Sequence, residues 1–325
     1  MQSVSIPATH RVVTGSGGRE LVLALDLGAT KVESALVDAD GRVLDGSRFR
    51  APTGSAASSE QLAGAVRSVL LTTLGTLPVG SRLIGAGVGT AGPIDLDGGL
   101  VSPLNLAVWR EYPLRSLVED IVGVPTILRM DGLCITLAEH WVGAAMGLRN
   151  AMGMIVSTGI GGGLILGGVT VPGPSGNAGH IGHIEVGGFD DECACGGIGC
   201  VEAIASGPRT VAWANRFGWA GSTGEQLAAD HRTGHPIAVA AVERAGRALG
   251  HAIASAASLV DVDTVAIGGG FAQVSPALFD HIRTAIAKRR AFDFVSRVRV
   301  VPSALGGDGP LIGAAALVHR SELVG

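Results

Sequence analysis

Short apolar segments alternate with glycine-rich turns along the chain, and this pattern predicts an α/β fold. Several apolar runs are too short for helices and predict buried strands. In the first half, these strands are expected at residues 21–25, 32–37, 83–88 and 125–129. Apolar residues at helical spacing predict helices at residues 59–74, 114–122 and 132–147. A turn at residues 26–31 joins the first two strands, so the chain begins with a strand–turn–strand unit.

The second half of the sequence repeats this arrangement. Its predicted elements are, in order, a strand at 152–156, a glycine-rich loop at 157–163, a strand at 164–166, helices from 201 onward, a strand at 264–267, a loop at 268–270 and a last helix at about 310–320. The sequence similarity between the two strand–turn–strand units is weak, but their architecture is the same. Two such units predict two lobes, each of which presents a β-turn to a shared cleft.

The boundary between the lobes is expected near residue 130, where a predicted strand leads directly into a helix. The expected parts are a flexible leader at residues 1–19, a smaller α/β lobe at 20–130 and a larger α/β lobe at 131–309 that carries a zinc-binding loop. The C-terminal helix, at about 310–325, is expected to pack back on the smaller lobe. No long linker is predicted between these parts.

Composition limits the classes of function. Of the 325 residues, 47% are hydrophobic and 16% are charged, which is typical of a folded globular protein. The net charge is −4 and the sequence has no concentrated basic run, so nucleic-acid binding is not expected. Glycine interrupts the apolar stretches before they reach the roughly 20 residues that a membrane helix needs. Because the N-terminus also lacks the apolar core of a secretory signal, we expect a cytoplasmic protein without a membrane partner.

Glycine is abundant, at 51 residues, and concentrates in a few loops. The segment 87–92 formally matches G-x-G-x-x-G, but a proline and polar residues follow it where a dinucleotide-binding fold needs a helix. The sequence contains no P-loop pattern. The remaining interpretation is a phosphate held between two β-turns by backbone amides and by the hydroxyl groups of Thr30 and Thr158. Lys31 would add positive charge there, and Asp26 would help to hold Mg²⁺.

A tight hairpin turn is the simpler interpretation of each glycine loop taken alone. The first two loops both join strand-like segments, and a third glycine loop lies at residues 268–270. Three loops of this kind in one chain therefore favour the phosphate interpretation over three unrelated turns.

One histidine and three cysteines form a metal-ligand pattern. The spacing H-x9-C-x-C-x4-C joins His183, Cys193, Cys195 and Cys200. Three thiolates and one imidazole complete the tetrahedral set that structural zinc prefers and leave no position for a reacting water. Unmetallated cysteines in a loop are the alternative. Without a secretion signal the clustering favours a metal over disulfides, and the isolated Cys134 is expected to be an ordinary buried thiol.

Five segments resemble the ROK family (repressors, open reading frames and sugar kinases). The run NAGHIGHIEVGGFDDECACGGIGCVEAIASGP at residues 177–208 is similar to the family signature. The segments DLGATK, GTAGP, STGIGGG and GGG are similar to its phosphate motifs, sugar loop and adenosine motif. The resemblance covers roughly residues 20–320. It implies a two-lobed actin-like ATPase fold, which is ribonuclease H-like, with a central cleft for the nucleotide and the sugar.

The resemblance also implies a role for each matching residue. Asp131 stands where the family has its catalytic base, which accepts the proton of the attacking sugar hydroxyl. The residues implied to bind the sugar are Gly92, Asn105, Asp131, His180, His183 and Glu202. The residues implied to bind ATP with its Mg²⁺ are Asp26, Gly28, Thr30, Lys31, Thr158, Gly159, Gly161, Gly162, Gly269 and Gly270. His183 would then serve both the sugar and the zinc, with one ring nitrogen for each.

Two positions depart from the glucose-type pattern of the family. Met130 stands where the family usually has asparagine, which removes one polar contact to the sugar. His180 stands where many members that phosphorylate glucose have glutamate, and an imidazole offers a donor and an acceptor where a carboxylate offers only acceptors. Histidine at this position, with CVEAIASG after the zinc cysteines, is similar to bacterial N-acetylmannosamine kinases. The identity of the sugar is therefore left open.

Three functions follow as hypotheses. The first is an ATP-dependent kinase for the 6-hydroxyl of a hexose or an N-acylhexosamine. The second is a sugar-sensing repressor, for which the 25 residues before Asp26 are too few to hold a winged helix-turn-helix. The third is a sugar-binding pseudokinase without turnover, which Met130 and His180 suggest. Polyphosphate remains an alternative donor to ATP, a helix N-cap remains an alternative role for Asp131, and the family resemblance suggests a homodimer.

Overall fold

The computed structural model of the protein describes residues 18–54 and 56–325, so residues 1–17 of the predicted leader lie outside the described residues. The strands are β1 (Glu20–Leu27), β2 (Lys31–Asp38), β3 (Phe49–Pro52), β4 (Arg82–Thr90), β5 (Ile94–Asp95), β6 (Leu100–Val101), β7 (Thr126–Met130), β8 (Ala151–Val156), β9 (Ile160–Leu166), β10 (Val169–Thr170), β11 (Thr264–Gly268) and β12 (Arg299–Pro302). The helices are α1 (Ser59–Leu74), α2 (Leu114–Val122), α3 (Asp131–Val142), α4 (Val201–Ala205), α5 (Gly207–Arg216), α6 (Gly224–Arg232), α7 (Pro236–Val260), α8 (Pro276–Ala287), α9 (Asp293–Ser296) and α10 (Gly309–His319).

Two five-stranded sheets with the same internal order form the framework. The first sheet has the order β3-β2-β1-β4-β7, and the second has the order β10-β9-β8-β11-β12. In each sheet, three consecutive strands pair antiparallel, and two later strands add in parallel beside the first of them. The prediction that the second half repeats the architecture of the first is therefore confirmed.

The central strands of the first sheet are buried on both faces. Seven consecutive residues of β1 and seven of β2 are buried. Helix α1 packs against β2 and β3, while α10 packs against β1 and β4. Because helices exclude water from this sheet, its strands read as nearly continuous apolar runs and not as an alternating pattern. The few buried polar side chains in these strands, among them Asp26 and Glu33, therefore require a specific reason.

Helix α10 crosses back from the second sheet to the first. It follows β12 in the chain, yet it packs on β1 and β4 and against α3. The approach to α3 is so close that a Cβ atom on Gly313 would lie 2.0 Å from the carbonyl oxygen of Cys134. Only glycine permits this contact between the two helices. The chain thus passes between the sheets at two places, once at Met130–Asp131 and once at residues 303–308.

Two predicted boundaries are wrong. Residues 160–163 were expected in a loop, but they belong to β9 and pair with β8. Glycine is needed here because α3 packs on Gly163, where a Cβ atom would lie 2.5 Å from the Leu133 Cα atom, while Ile181 and Gly179 leave no room for a side chain at Gly162. Helix α3 was expected to continue to residue 147, but it ends at Val142 because Gly143 takes an extended conformation.

The second sheet is covered by the long helix α7 and its neighbours. Helix α7 packs against α4, α5, α6 and α8, and its small residues allow these close contacts. Although α7 has 25 residues, neither it nor any other described helix combines the length and apolar character needed to cross a bilayer.

Candidate active site

A cavity of about 380 Å³ lies between the two sheets and is lined by residues of both. The predicted site residues that line it are Asp26, Gly28, Thr30, Lys31, Gly92, Asn105, Asp131, Thr158, Gly159, Gly161, His180, His183, Glu202, Gly269 and Gly270. Gly162 is buried in β9 beside Gly161 and does not line the cavity. The three cysteines lie outside it, in the loop between His183 and α4.

Two equivalent hairpin turns face this cavity. In the turn between β1 and β2, the amide of Gly28 donates to the carbonyl oxygen of Lys31 at 2.9 Å. In the turn between β8 and β9, the amide of Ser157 donates to the carbonyl oxygen of Gly159 at 2.9 Å. The two turns occupy corresponding positions in the two sheets, so each sheet presents a turn with exposed backbone amides and a threonine hydroxyl. Such a pair of turns is suited to hold phosphate oxygens.

Two of the carboxyl groups that line the cavity, those of Asp26 and Asp131, have raised pKa values. Burial, with the negative charges of Asp131 and Glu33, raises the pKa of Asp26 from 3.8 to about 7. Burial, with the negative charge of Glu202, raises the pKa of Asp131 from 3.8 to about 6, although the amide of Gly132 opposes this shift. Both groups therefore lose their protons near neutral pH, and a cation placed beside them would be held strongly.

The helix N-cap interpretation of Asp131 is wrong. Asp131 is the first residue of α3, and the N-cap position belongs to Met130, whose side chain makes no capping hydrogen bond. The Asp131 Oδ1 atom accepts a hydrogen bond from the adjacent amide of Gly132 at 2.7 Å. Its carboxylate is thus oriented by the start of the helix, where negative charge is favoured, and it remains partly open to the cavity.

The loop that carries Asn105 is fixed by apolar anchors. Leu106 and Trp109, which follow it in the chain, are buried, and the ring of Trp109 stacks on Tyr112 with 4.0 Å between ring centroids. Arg110 donates to three carbonyl oxygens of the same loop. Asn105 itself is exposed to the cavity. This arrangement leaves the amide side chain free for a ligand while the backbone beneath it is held.

Glu202, on α4, also lines the cavity. Its Oε2 atom accepts a hydrogen bond from the amide of Ile160 at 2.7 Å, at the start of β9. The carboxylate therefore retains further acceptor capacity toward the cavity. Its charge also contributes to the raised pKa of Asp131, which places the two carboxyl groups within electrostatic reach of each other.

Gly92 and His180 line the cavity, and the buried side chain of Met130 lies beside them. A Cβ atom on Gly92 would lie 2.8 Å from the Met130 Sδ atom and 2.9 Å from the His180 Nε2 atom, so only glycine lets the two side chains converge. The Nε2 atom of His180 is buried and has no hydrogen-bond partner among the described residues. Burial, with the charge of His183, lowers the pKa of His180. His180 therefore contributes a neutral imidazole that needs a partner, and Met130 packs behind it as an apolar side chain.

His183, Cys193, Cys195 and Cys200 converge on one point. Their ligand atoms all lie within 4.8 Å of one another. The Nδ1 atom of His183 lies 3.7 Å from the Cys193 sulfur, and the sulfurs of Cys195 and Cys200 lie 3.6 Å apart. Ligands at about 2.3 Å from a tetrahedral zinc are separated by about 3.8 Å, so the four donors fit this metal.

The chemistry of the cysteines also favours a bound cation. Burial, with the thiols of Cys195 and Cys193, raises the pKa of Cys200 to about 12. Thiolates so close together repel one another unless a cation neutralises them. Because Nδ1 of His183 faces the sulfur cluster, the other ring nitrogen is left for the cavity that His183 also lines.

The sequence pattern did not identify several residues that line the cavity. These are Ser157, Gln273, Ser303, Gly306 and Gly307. The glycine pair that precedes α10 carried the same signal as the other glycine loops and could have been found. A neighbouring cavity of about 820 Å³ shares Ser157, Thr158, Gly270 and Gln273 with the first and extends along α5 and α6. Nothing in the local sequence predicted that these helices would form its walls.

Comparisons with known proteins agree with this architecture. The sequence pattern of the ROK family matches residues 22–321. The chain is 34% identical over 306 residues to an N-acetylmannosamine kinase of Escherichia coli (strain SMS-3-5 / SECEC), over 93% of this chain and 99% of that protein. It is 28% identical over 320 residues to the glucokinase of Streptomyces coelicolor, over 93% of this chain and 98% of that protein.

The solved structures show the same fold. The ROK family glucokinase from Streptomyces griseus, in complex with glucose and AMPPNP, has a TM-score of 0.80 and 29% identity to this chain, over 92% of this chain and 99% of that one. The predicted two-lobed actin-like ATPase fold is therefore confirmed.

Proposed function

Because the chain belongs to the ROK family, we propose that it is an ATP-dependent sugar kinase. Its substrate would be the 6-hydroxyl of a hexose or an N-acylhexosamine. The observation that carries this proposal is the position of Asp131, which lies in one cavity with two phosphate-type turns and with the polar side chains of Asn105 and Glu202. The kinase names of the relatives support the same reaction class.

In the proposed reaction, Asp131 is the general base. It accepts the proton of the sugar hydroxyl while the hydroxyl oxygen forms a bond to the γ-phosphorus of ATP. The bond between that phosphorus and the β,γ-bridging oxygen breaks, ADP leaves with the electron pair, and the proton passes from Asp131 to solvent. A pKa of about 6 keeps the carboxylate ionised near neutral pH and makes it a stronger base than an ordinary aspartate.

The sugar and the nucleotide would bind at different ends of the cleft. The sugar would lie against Gly92, Asn105, His180, His183 and Glu202, where donors and acceptors converge. The phosphates would lie between the two turns, with Lys31 nearby, and the adenosine would extend past Gly270 into the larger cavity. Asp26 would hold Mg²⁺, and this ion, when bound, supplies positive charge to the transferring phosphoryl group. The raised pKa of Asp26 fits a site that is completed by a cation.

The zinc would have a structural role, with His183, Cys193, Cys195 and Cys200 as its ligands. These residues would order the loop that leads into α4 and would fix the ring of His183 at the cavity wall. We also keep the lobe division at residues 130 and 131, the homodimer and the cytoplasmic location as predictions.

The sugar itself is to be found by assay. Purified protein with Mg²⁺ is offered glucose, mannose, N-acetylglucosamine and N-acetylmannosamine, with ATP or polyphosphate as donor, and the sugar phosphate is measured. We expect turnover with ATP and at least one of these sugars. Absence of turnover with every sugar and both donors would reject the kinase proposal and leave a sugar-binding protein. The variant Asp131→Asn serves as the control that separates background hydrolysis from catalysis.

A further inference from the structure

Glu33 is a buried carboxylate surrounded by three cations. It lies on β2, seven residues after Asp26, and only 1% of its surface is exposed. Lys31 donates to its Oε2 atom at 2.5 Å, while Arg48 and Arg50 approach its Oε1 atom at 3.3 Å and 2.6 Å. Burial alone would raise the pKa of Glu33, but these cations outweigh burial and lower it. Glu33 therefore stays ionised over the whole physiological pH range.

The three cations have different environments. The side chain of Lys31 is 40% exposed and lines the cavity at the first phosphate turn. Arg48 makes further contacts with Asp308 at 2.6 Å and with the carbonyl oxygen of Gly307 at 2.7 Å. Arg50 is the outermost of the three, with 58% of its side chain exposed. Only Lys31 is therefore placed to move from Glu33 to a ligand in the cavity.

The cluster remains neutralised when Lys31 leaves it. A buried carboxylate without a positive partner is strongly destabilising, but Arg48 and Arg50 would still hold the Glu33 charge. Transfer of the ammonium group from Glu33 to a phosphate oxygen exchanges one charge-assisted hydrogen bond for another. The surplus of cations thus makes Lys31 available at low cost, which a simple one-to-one ion pair would not do.

We propose that Glu33 is a positioning residue for the triphosphate of the nucleotide. Glu33 holds the Lys31 ammonium group beside the first phosphate turn until a phosphate oxygen takes the place of Glu33 as its partner. Through Arg48, it also holds the segment Gly306–Gly307, which lines the same cavity. This inference rests on the proposed kinase function, and Glu33 itself touches neither substrate.

The test separates nucleotide binding from sugar binding. In Glu33→Gln, the KM for ATP is expected to rise roughly tenfold, because the cation is no longer held at the turn. The KM for the sugar is expected to stay within about twofold, since the sugar end of the cavity does not contact this cluster. If Glu33 and its three cations only supported folding, Glu33→Gln would change both KM values together, or neither of them.

A double-mutant cycle tests the connection to Lys31. Lys31→Met should raise the KM for ATP, and combining it with Glu33→Gln should add little, because both changes remove the same positioned charge. Additive effects would overturn the proposal. Glu20→Gln is the matched control, since Glu20 pairs with Arg82 at the exposed beginnings of β1 and β4 in the same sheet. This variant should leave both KM values unchanged.

A second variant and a binding measurement keep the proposal testable if Glu33→Gln does not fold or if the protein is not a kinase. If Glu33→Gln does not fold, Glu33→Asp keeps the charge on a shorter side chain and should give a smaller increase in the same KM. Calorimetric binding of MgADP to the wild type and to Glu33→Gln needs no turnover. Weaker binding in the variant would support the proposal even if the kinase assay failed, and equal binding would reject it.

Discussion

At the scale of single residues, Asp131 combines a role in the proposed chemistry with a cost in stability. Its pKa is about 6 in the folded protein against 3.8 ordinarily. The folded state therefore binds the proton more tightly than the unfolded state, and stability falls as the pH rises from about 4 to 6. Above pH 6 the whole cost is present, and below pH 4 it is absent.

The variant Asp131→Asn should therefore lose activity and gain stability. Asparagine keeps the acceptor for the Gly132 amide but cannot accept the sugar proton, so we expect kcat to fall by at least about a hundredfold. The free energy of unfolding at pH 8 should increase by roughly 1 to 3 kcal/mol, and this gain should vanish at pH 4. Urea unfolding at both pH values and calorimetric sugar binding provide the measurements. Retained turnover would remove Asp131 from the mechanism.

The pH dependence of catalysis should reflect the same carboxyl groups. Because protonated Asp131 cannot act as a base, kcat/KM for the sugar should fall below an apparent pKa near 6 at saturating MgATP. At low Mg²⁺ this acidic limb should move toward 7, since Asp26 then retains its proton. Initial rates from pH 5 to 9 at two Mg²⁺ concentrations test this. An acidic limb near pH 4 under both conditions would contradict it.

Local patterns in the sequence predicted many of these residues but not their interactions. Each of the predicted features depends on residues that are close in sequence: the turns, the spacing of the metal ligands and the position of Asp131 at a strand end. These features could therefore be predicted from the sequence. Glu33 looked like an ordinary polar residue in a strand, because its partner Arg48 lies 15 positions away and connects to Asp308 another 260 positions along the chain. Only the folded chain brings such residues together.

At the scale of elements, the close approach of α3 and α10 determines how the two halves join. Gly313→Ala would place a methyl group against the backbone of Cys134, so we expect a loss of roughly 3 kcal/mol or more, or failure to fold. Gly64→Ala is the matched control in α1, where a Cβ atom meets no atom within 4 Å. It should stabilise the protein by roughly 0.5 to 1 kcal/mol. Urea midpoints of both variants test this contrast.

The loop at residues 183–200, which carries the four proposed zinc ligands, should also influence sugar binding. We expect about one zinc per chain by metal analysis. In Cys195→Ser, zinc content and thermal stability should fall, and the KM for the sugar should rise more than the KM for ATP, because His183 lies on the same loop. Ala194→Ser adds a hydroxyl between two ligands without removing either, so it should behave as the wild type. Full zinc content in Cys195→Ser would reject this ligand set.

At the scale of the whole molecule, the two passages of the chain between the sheets are tied to each other. Met130–Asp131 forms the first passage and residues 303–308 form the second, and both contribute to the cavity. Glu139 on α3 is fully buried and accepts hydrogen bonds from the Ser303 hydroxyl and from the Ala144 amide, the latter at 2.7 Å. No cation pairs with it among the described residues. Its carboxyl group therefore accepts from neutral donors, and two of these, the Ser303 hydroxyl and the Ala304 amide at 3.5 Å, lie on the second passage.

The lobe arrangement could be predicted only in part. The repeated strand–turn–strand unit indicated two lobes, and the apolar C-terminal helix was expected to return to the first one. The tie between Glu139 and Ser303 could not be foreseen, because their hydrogen bond spans 164 positions and neither residue belongs to a recognisable motif. A buried glutamate in an apolar helix pattern gives no indication of its partner.

If closure of the lobes brings the sugar and ATP together, loosening this tie should affect both substrates. Ser303→Ala removes the hydroxyl donor to Glu139 without altering the turns or Asp131, so kcat and both KM values should change together, by roughly threefold to tenfold. This pattern differs from that of Glu33→Gln, which should affect ATP alone. Ser296→Ala, in α9 away from the cavity, is the control and should leave the kinetics unchanged. Steady-state kinetics with each substrate varied in turn distinguish the two patterns. A change in the KM of only one substrate would show that residues 303–308 act as a local binding segment and not as a hinge.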